Sequence, residues 1–301
     1  MCSIDAKCGF GCQLHRISWC MIHAVMENRT MVMRPNAIRE YGRDTECGSH
    51  WNCWFDNVSG CQVYAAARKS SLKDQKDFKT YSENPFTKHK DWLPPVLVER
   101  GLKNMTEMPT AWFVGQIVGW LLKYADELNA TIEDFKAEMN LTRPVDVSLH
   151  VRRTDKVQAH RGEQTEAASH TFQEYMQHVD HLIYPNARHH DYYAEHEHTP
   201  VNIYVATDDP TLPNDFSNYP RYNFIYDERG MALASKQNTR YNAESLDRLL
   251  LDLRMMSEAE FFVGTFSSQI SRIVVELMMA RGLPDVPRRV HSVDAVYYAA
   301  E

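Results

Sequence analysis

Two adjacent arginines, an aspartate and a lysine fall within five positions, Arg152-Arg153-Thr154-Asp155-Lys156, at the end of a β-branched run that starts at Val145. Arginine grips a phosphate with a two-pronged fork of N–H donors, and lysine adds a compact point charge. These types therefore suit the binding of a phosphorylated ligand and the stabilisation of a departing phosphate. For an isolated Arg-Arg-x-Asp the alternative is a surface ion-pair cluster in which Asp155 neutralises one arginine. Further polar groups follow downstream in Asp208-Asp209-Pro210 and Thr265-Phe-Ser-Ser-Gln269, and Asp252 stands among Leu249, Leu250, Leu251 and Leu253. Ser267 and Ser268 can cap a helix and meet an anion at its positive end. A carboxylate amid leucines needs a donor. Near the start, Cys8-Gly-Phe-Gly-Cys12 is a glycine turn feeding a helix, which is a second arrangement suited to an anion.

The elements that must position these groups follow from periodicity. Strands are expected at Val145–Val151, Val201–Thr207, Phe224–Asp227 and Glu260–Gly264. Helices at Phe172–Leu182, Ala243–Met256 and Ser267–Ala280 separate or follow them. That alternation is the pattern of an α/β parallel sheet with Rossmann-like winding, whose ligands sit beyond the carboxyl ends of the strands. Upstream, helices are expected at Gln13–Met26, Pro109–Leu128 and Ile132–Met139, with a short strand at Thr30–Met33 and a loop-rich stretch over 35–100. The division expected is 1–143, an N-terminal α/β domain with disulfides, and 144–301, a Rossmann-like nucleotide-binding domain. His189-His190 through His198 reads as a solvated insertion, with a metal site as its alternative.

Composition narrows the classes. With 301 residues, 44% hydrophobic and 24% charged, the chain has the balance of a globular protein. A formal net charge of −7 argues against non-specific binding to nucleic acid or anionic membrane. No run of about 18 apolar residues is present, and no leader is visible at Met1. All seven cysteines lie at or before Cys61, and Asn-x-Ser/Thr sequons occur at Asn28, Asn57, Asn104, Asn129 and Asn140. Together these point to an oxidising, secretory compartment and a disulfide-stapled segment, with zinc as the competing reading of Cys8 and Cys12. By position, Cys8 is expected to pair with Cys12, Cys2 with Cys20, and Cys47 with Cys53, leaving Cys61. The odd count and the missing leader carry the expectation of a truncated N-terminus.

The strings His150-Val-Arg-Arg-Thr-Asp-Lys156, Tyr204-Val-Ala-Thr-Asp-Asp-Pro210 and Thr265-Phe-Ser-Ser-Gln269 resemble the core alpha-1,6-fucosyltransferase family of N-glycans. Cys8-Gly-Phe-Gly-Cys-Gln-Leu-His15, Thr239-Arg-Tyr-Asn242 and His291-Ser-Val-Asp-Ala-Val-Tyr-Tyr298 resemble it too, in colinear order along nearly the whole chain. The resemblance implies a GT-B-like fold and an inverting, metal-independent transfer of fucose from GDP-fucose to the innermost GlcNAc of an N-glycan. The donor substrate is GDP-fucose, and no cofactor is implied. Carried over, Arg152 would hold the β-phosphate, with Arg153 in support. Asp252 would accept from guanine, with His150 nearby, and Gly11, Cys12 and Ser268 would touch the donor. Glu166 would be the general base, with Lys156 and Asp155 in the catalytic group. Tyr175, Asp208 and Asp209 would shape the acceptor side.

This sequence departs from the family where Gln158–Gln164 is inserted before Glu166, which leaves Glu163 as the alternative base. Gly264 and Ser271 replace two cysteines that bracket the Thr-Phe-Ser-Ser segment in vertebrate relatives. The family's N-terminal coiled coil and C-terminal SH3-like domain have no counterpart in these residues, and a homodimer would form through such segments. Residence in the Golgi lumen, or secretion, is the localisation implied. Two other functions compete: a sugar-nucleotide- or glycan-binding protein without turnover, and a protein O-fucosyltransferase. The contexts Thr-Asp-Asp-Pro and Thr-Phe-Ser-Ser disfavour the second.

Overall fold

The computed structural model describes residues 8–33, 37–42, 48, 50–58, 93–104, 106–153, 169–183, 200–283 and 285–298. Helix α1 (Phe10–Met26) follows the glycine turn and buries Phe10, Leu14, Ile17 and Ile22 at helical spacing. After the short α2 (Pro95–Glu99) come α3 (Pro109–Leu121), entered at a proline in its first turn, and α4 (Asp126–Glu138).

The amphipathic stretch expected to run unbroken to Leu128 divides in two. The chain leaves the helix after Leu121 so that Tyr124 can bridge antiparallel to Phe55. Asp56 N–H donates to the Lys123 carbonyl and Ala125 N–H to that of Trp54, each at 2.8 Å. A tertiary partner thus outcompetes helix propensity. The strand expected at Thr30–Met33 does not form. Among the described residues of 1–143, this bridge is the only β-pairing.

The second half contains β1 (Val147–Val151), α5 (Phe172–Ile183), β2 (Val201–Thr207), β3 (Tyr222–Ile225), α6 (Glu228–Ala234), α7 (Ala243–Glu258), β4 (Phe261–Gly264), α8 (Gln269–Ala280), α9 (Val286–Arg289) and β5 (Val290–Ser292). All five strands are parallel in the order β3-β2-β1-β4-β5. This is the doubly wound order that places a crevice at the carboxyl ends near β1. β5 and α6 were not legible in the pattern, because three residues of strand and seven of helix are too short to show a period.

The strand period of two sorts side chains between two cores. Val147, Leu149, Val151, Ile203 and Val205 pack with α5. Tyr204, Ala206 and Phe262 face the larger cluster, which draws on α1, α3, α7 and α8 and so includes residues from both sides of position 143. Within it α3 crosses α8 at very short range. A Cβ placed on Gly115 would collide with the Glu276 carbonyl, and one on Gly119 would fall 2.7 Å from the Ala280 Cβ. Glycine four residues apart on one helix face is what permits that approach.

Candidate active site

The carboxyl ends of β1 and β2 open into a cleft of about 710 Å³, walled by the start of α1, the start of α8 and one face of α7. β1 delivers His150 and Arg152 to it, and β2 delivers Asp208. Arg152 Nε lies 3.2 Å from Asp208 Oδ2. The other oxygen, Oδ1, accepts from the Arg153 backbone N–H at 2.8 Å, so one buried carboxylate holds the two residues that leave the strand. Behind it Tyr175 is fully buried, with its hydroxyl against the Arg152 backbone. Tyr175 therefore supports the strand end from within the core. The expectation for Tyr175 was a place on the acceptor side; its side chain is buried in the core.

Two helix N-termini meet at the cleft. α1 is capped by Gly9 and α8 by Ser268, neither through its side chain, and the positive ends of the two helix dipoles favour an anion there. The Phe10 N–H is taken by the Tyr41 hydroxyl at 2.9 Å. A Cβ on Gly11 would lie 3.1 Å from the Gln269 Cβ and 3.2 Å from Ile270 Cδ1; the glycine lets the two helices start side by side. Cys8 and Cys12 form a disulfide across the first turn. Cys20 and Cys53 are each disulfide-bonded as well, and Cys2, Cys47 and Cys61 lie outside the described residues.

The loop before α8 is clamped by Asp294. Its Oδ1 accepts from the Phe266 N–H at 2.8 Å and the Ser292 hydroxyl at 2.9 Å, and its Oδ2 accepts from the Ser267 hydroxyl at 2.5 Å. Below the cleft, His15 Nδ1 is 2.8 Å from Gln269 Oε1, and its Nε2 is 3.1 Å from both Glu276 oxygens. The Tyr297 hydroxyl donates to the same carboxylate at 2.8 Å. This buried node fastens α1, α8 and the C-terminal segment together. Ser271 Oγ accepts from the Thr265 N–H at 3.2 Å and shares a 2.7 Å hydrogen bond with His150 Nδ1. A Cβ on Gly264 would fall 2.6 Å from that hydroxyl, so Gly264 and Ser271 are spatial neighbours.

Asp252 reaches the cleft from α7 and accepts from the Tyr204 hydroxyl at 2.6 Å. Burial lifts its carboxyl pKa to about 8, against the opposing pull of the Tyr204 hydrogen bond. Tyr204 is itself pushed well above the usual phenol range, first by burial and then by the Asp252 charge.

Arg153 is not brought to this cleft. Its guanidinium turns away to Asp209 at 3.2 Å, the His170 carbonyl at 3.3 Å and Asp215 at 3.8 Å, beside a separate depression of about 500 Å³. The two arginines are adjacent, and successive residues at a strand end point to opposite sides. Only the Arg153 backbone N–H is tied to the cleft, through Asp208. Asp209 sits with it, and its pKa is lowered because hydrogen bonds from Thr211 and Arg153 outweigh its burial. Asp155, Lys156, Glu163, Glu166 and the segment His189–His198 lie outside the described residues.

Three cationic residues that periodicity did not single out also line the cleft: Arg16, Arg240 and Arg272. Arg240 donates to the Ala234 carbonyl at 2.7 Å and lies 3.9 Å from Asp208. Arg272 is 2% exposed, donates to the Tyr298 carbonyl at 2.9 Å, and stacks 4.2 Å from the centroid of that tyrosine's ring. The available signal was a charge on the apolar face of an amphipathic helix, which needs a partner or a ligand. The arrangement as a whole is a preorganised anion site bordered by a buried carboxylate, suited to a nucleoside diphosphate.

Comparison with known proteins matches residues 1–298 to the model of the alpha-(1,6)-fucosyltransferase N- and catalytic domains. An alpha-(1,6)-fucosyltransferase from Caenorhabditis elegans is 30% identical over 99% of this chain and 52% of its own length. The corresponding protein from Drosophila melanogaster is 29% identical over 99% of this chain and 46% of its own. The chain thus spans about half the length of these relatives. Among solved structures, POFUT1 in complex with GDP superimposes with a TM-score of 0.54 at 14% identity, covering 97% of this chain and 96% of that one. The likeness carries the GT-B-like α/β fold.

Proposed function

This chain belongs to the alpha-(1,6)-fucosyltransferase family, and on that premise we propose that it transfers fucose from GDP-fucose to the 6-hydroxyl of the innermost GlcNAc of an N-glycan. The observation that carries the reading is the convergence of two helix N-termini and Arg152 on one cleft. A sugar leaving a nucleoside diphosphate deposits negative charge on the diphosphate. Fixed donors aimed at that charge lower the barrier without needing to reorganise. Asp252 and His150 line the same cleft, and in this reading Asp252 accepts the N–H donors of a guanine edge.

Inversion further needs a base for the acceptor hydroxyl. Glu166 takes that role by family position, with Lys156 in the same catalytic group. No Asp-x-Asp triplet occurs in the sequence, and the arginines and helix dipoles supply positive charge at the diphosphate, so the transfer proceeds without a metal. The Golgi lumen is the proposed location, in keeping with the cysteine disulfides.

The test is incubation with GDP-fucose and a defined N-glycan panel in EDTA, read by mass spectrometry. Addition of one fucose to the core GlcNAc is expected. Donor binding without any transfer, or transfer only to serine or threonine, would overturn the reading. Glu166→Gln is expected to remove transfer while leaving GDP affinity nearly unchanged, and Glu163→Gln to be mild; the reverse result would move the base into the inserted segment.

A further inference from the structure

The five sequons are not equivalent once folded. Asn28 and Asn140 each stand just past a long helix, α1 and α4, with φ of 49° and 54°. Both helices end in the same two-bond cap. The Asn28 N–H donates to Val25 and the Arg29 N–H to Ala24; the Asn140 N–H donates to Ala137 and the Leu141 N–H to Lys136. This cap wants a left-handed residue at the position that asparagine fills, and glycine or asparagine suffices for it. The cap alone accounts for the two asparagines. It does not account for a threonine two residues later in both cases, Thr30 and Thr142, each exposed with its asparagine.

Among the described residues, no hydrogen bond engages the side-chain amide of Asn28 or Asn140. Asn129 differs in every respect. It lies within α4, half-buried, where its Nδ2 donates to the Tyr124 carbonyl at 2.9 Å and its Oδ1 accepts from Arg254 at 2.8 Å. The Thr131 hydroxyl, on the exposed face of the helix, is engaged with the Glu127 carbonyl at 3.1 Å.

We infer that Asn28 and Asn140 are N-glycosylation sites of this protein and that Asn129 is a sequon consumed by the fold. An oligosaccharide needs an amide that projects into solvent, with room on every side. Both asparagines give that, and both lie away from the cleft. α1 begins at the cleft and runs about 25 Å before reaching Asn28. Asn140 precedes β1 at its amino end, opposite the carboxyl ends that open into the site. Glycans there would shield exposed Val25, Met26 and Met139 without obstructing the donor. The inference is independent of the transferase reading, because it rests on surface geometry and an oxidising export route.

The experiment is secretion of the chain from insect cells, removal of glycans by peptide-N-glycosidase in heavy-oxygen water, and peptide mass spectrometry. Heavy aspartate is expected at positions 28 and 140 and unmodified asparagine at 129. Thr30→Ala and Thr142→Ala should each remove one glycan and raise gel mobility by one step while leaving the helix caps intact. GDP binding should stay within about twofold, since neither residue is near the cleft. Unoccupied Asn28 or Asn140 in folded secreted protein, or a glycan on Asn129, would overturn the assignment.

Discussion

Arg152 and Asp208 face each other across the ends of β1 and β2, Nε to Oδ2 at 3.2 Å, with the Asp208 side chain only 2% exposed. The carboxylate thereby holds both residues that leave β1, since its other oxygen accepts from the Arg153 N–H. The same arginine lines the cleft.

Replacing Arg152 by lysine should therefore fail although the charge is kept. Lysine offers a point charge and cannot bridge Asp208 and a phosphate at once. kcat/KM for GDP-fucose is expected to fall by roughly 100-fold or more, on the scale of losing one oxyanion donor, with an unchanged melting temperature. Near-normal turnover of Arg152→Lys would remove the arginine from the diphosphate site.

Asp252 predicts a pH dependence with a definite sign. Its folded pKa, about 8, stands above the ordinary 3.8 of the unfolded chain. The folded state thus binds the extra proton, and the stability linked to it is lost as pH rises from about 4 through about 8. Asp252→Asn should flatten the melting temperature over that window. Guanine N–H donors favour the ionised carboxylate, so GDP affinity of the wild type should increase from pH 6 to pH 8 with release of a proton. A pH-independent affinity measured by calorimetry in two buffers of different ionisation enthalpy would refute the guanine contact.

Gly115 should tolerate no side chain. A methyl group there meets the Glu276 backbone of α8 rather than a movable side chain, and overpacking of this kind costs about 1–3 kcal/mol. Gly115→Ala is expected to lower the melting temperature by several degrees. Because Glu276 also anchors His15 and Tyr297, GDP affinity should drop with it. Gly115→Ala that melts like wild type would contradict the close crossing.

Reducing the Cys8–Cys12 bond should act mainly on the site. With a sequence separation of 4, the chain-entropy model assigns it only about 2 kcal/mol. Its two cysteines border the α1 N-terminus, however, and loosening that turn scatters the N–H donors. Cys8→Ser/Cys12→Ser is expected to weaken GDP binding about tenfold while the far-ultraviolet circular dichroism is unchanged. An unaltered GDP affinity would show that the bond is a staple without a part in donor binding.

Much of this protein was legible in its residues taken one after another. The strands around Leu149, Tyr204 and Val263 announce themselves through β-branching, and helices such as Ala243–Met256 through their apolar spacing, because both signals are local. Arg152, Asp252 and the serines of Thr265–Gln269 stood out as candidates for the same local reason, charges among apolar residues and hydroxyls before a helix, and the fold lines one cleft with them. What the sequence could not decide was direction and partnership. Only the folded chain turns Arg152 into the cleft and Arg153 out of it, buries Tyr175 behind the strand, and adds Arg240 and Arg272 to the wall. It also breaks the helix at Leu122 for the sake of Phe55, and sorts Asn28 and Asn140 from Asn129. Each of these depends on a contact between residues far apart along the chain, and local propensity holds no record of such contacts.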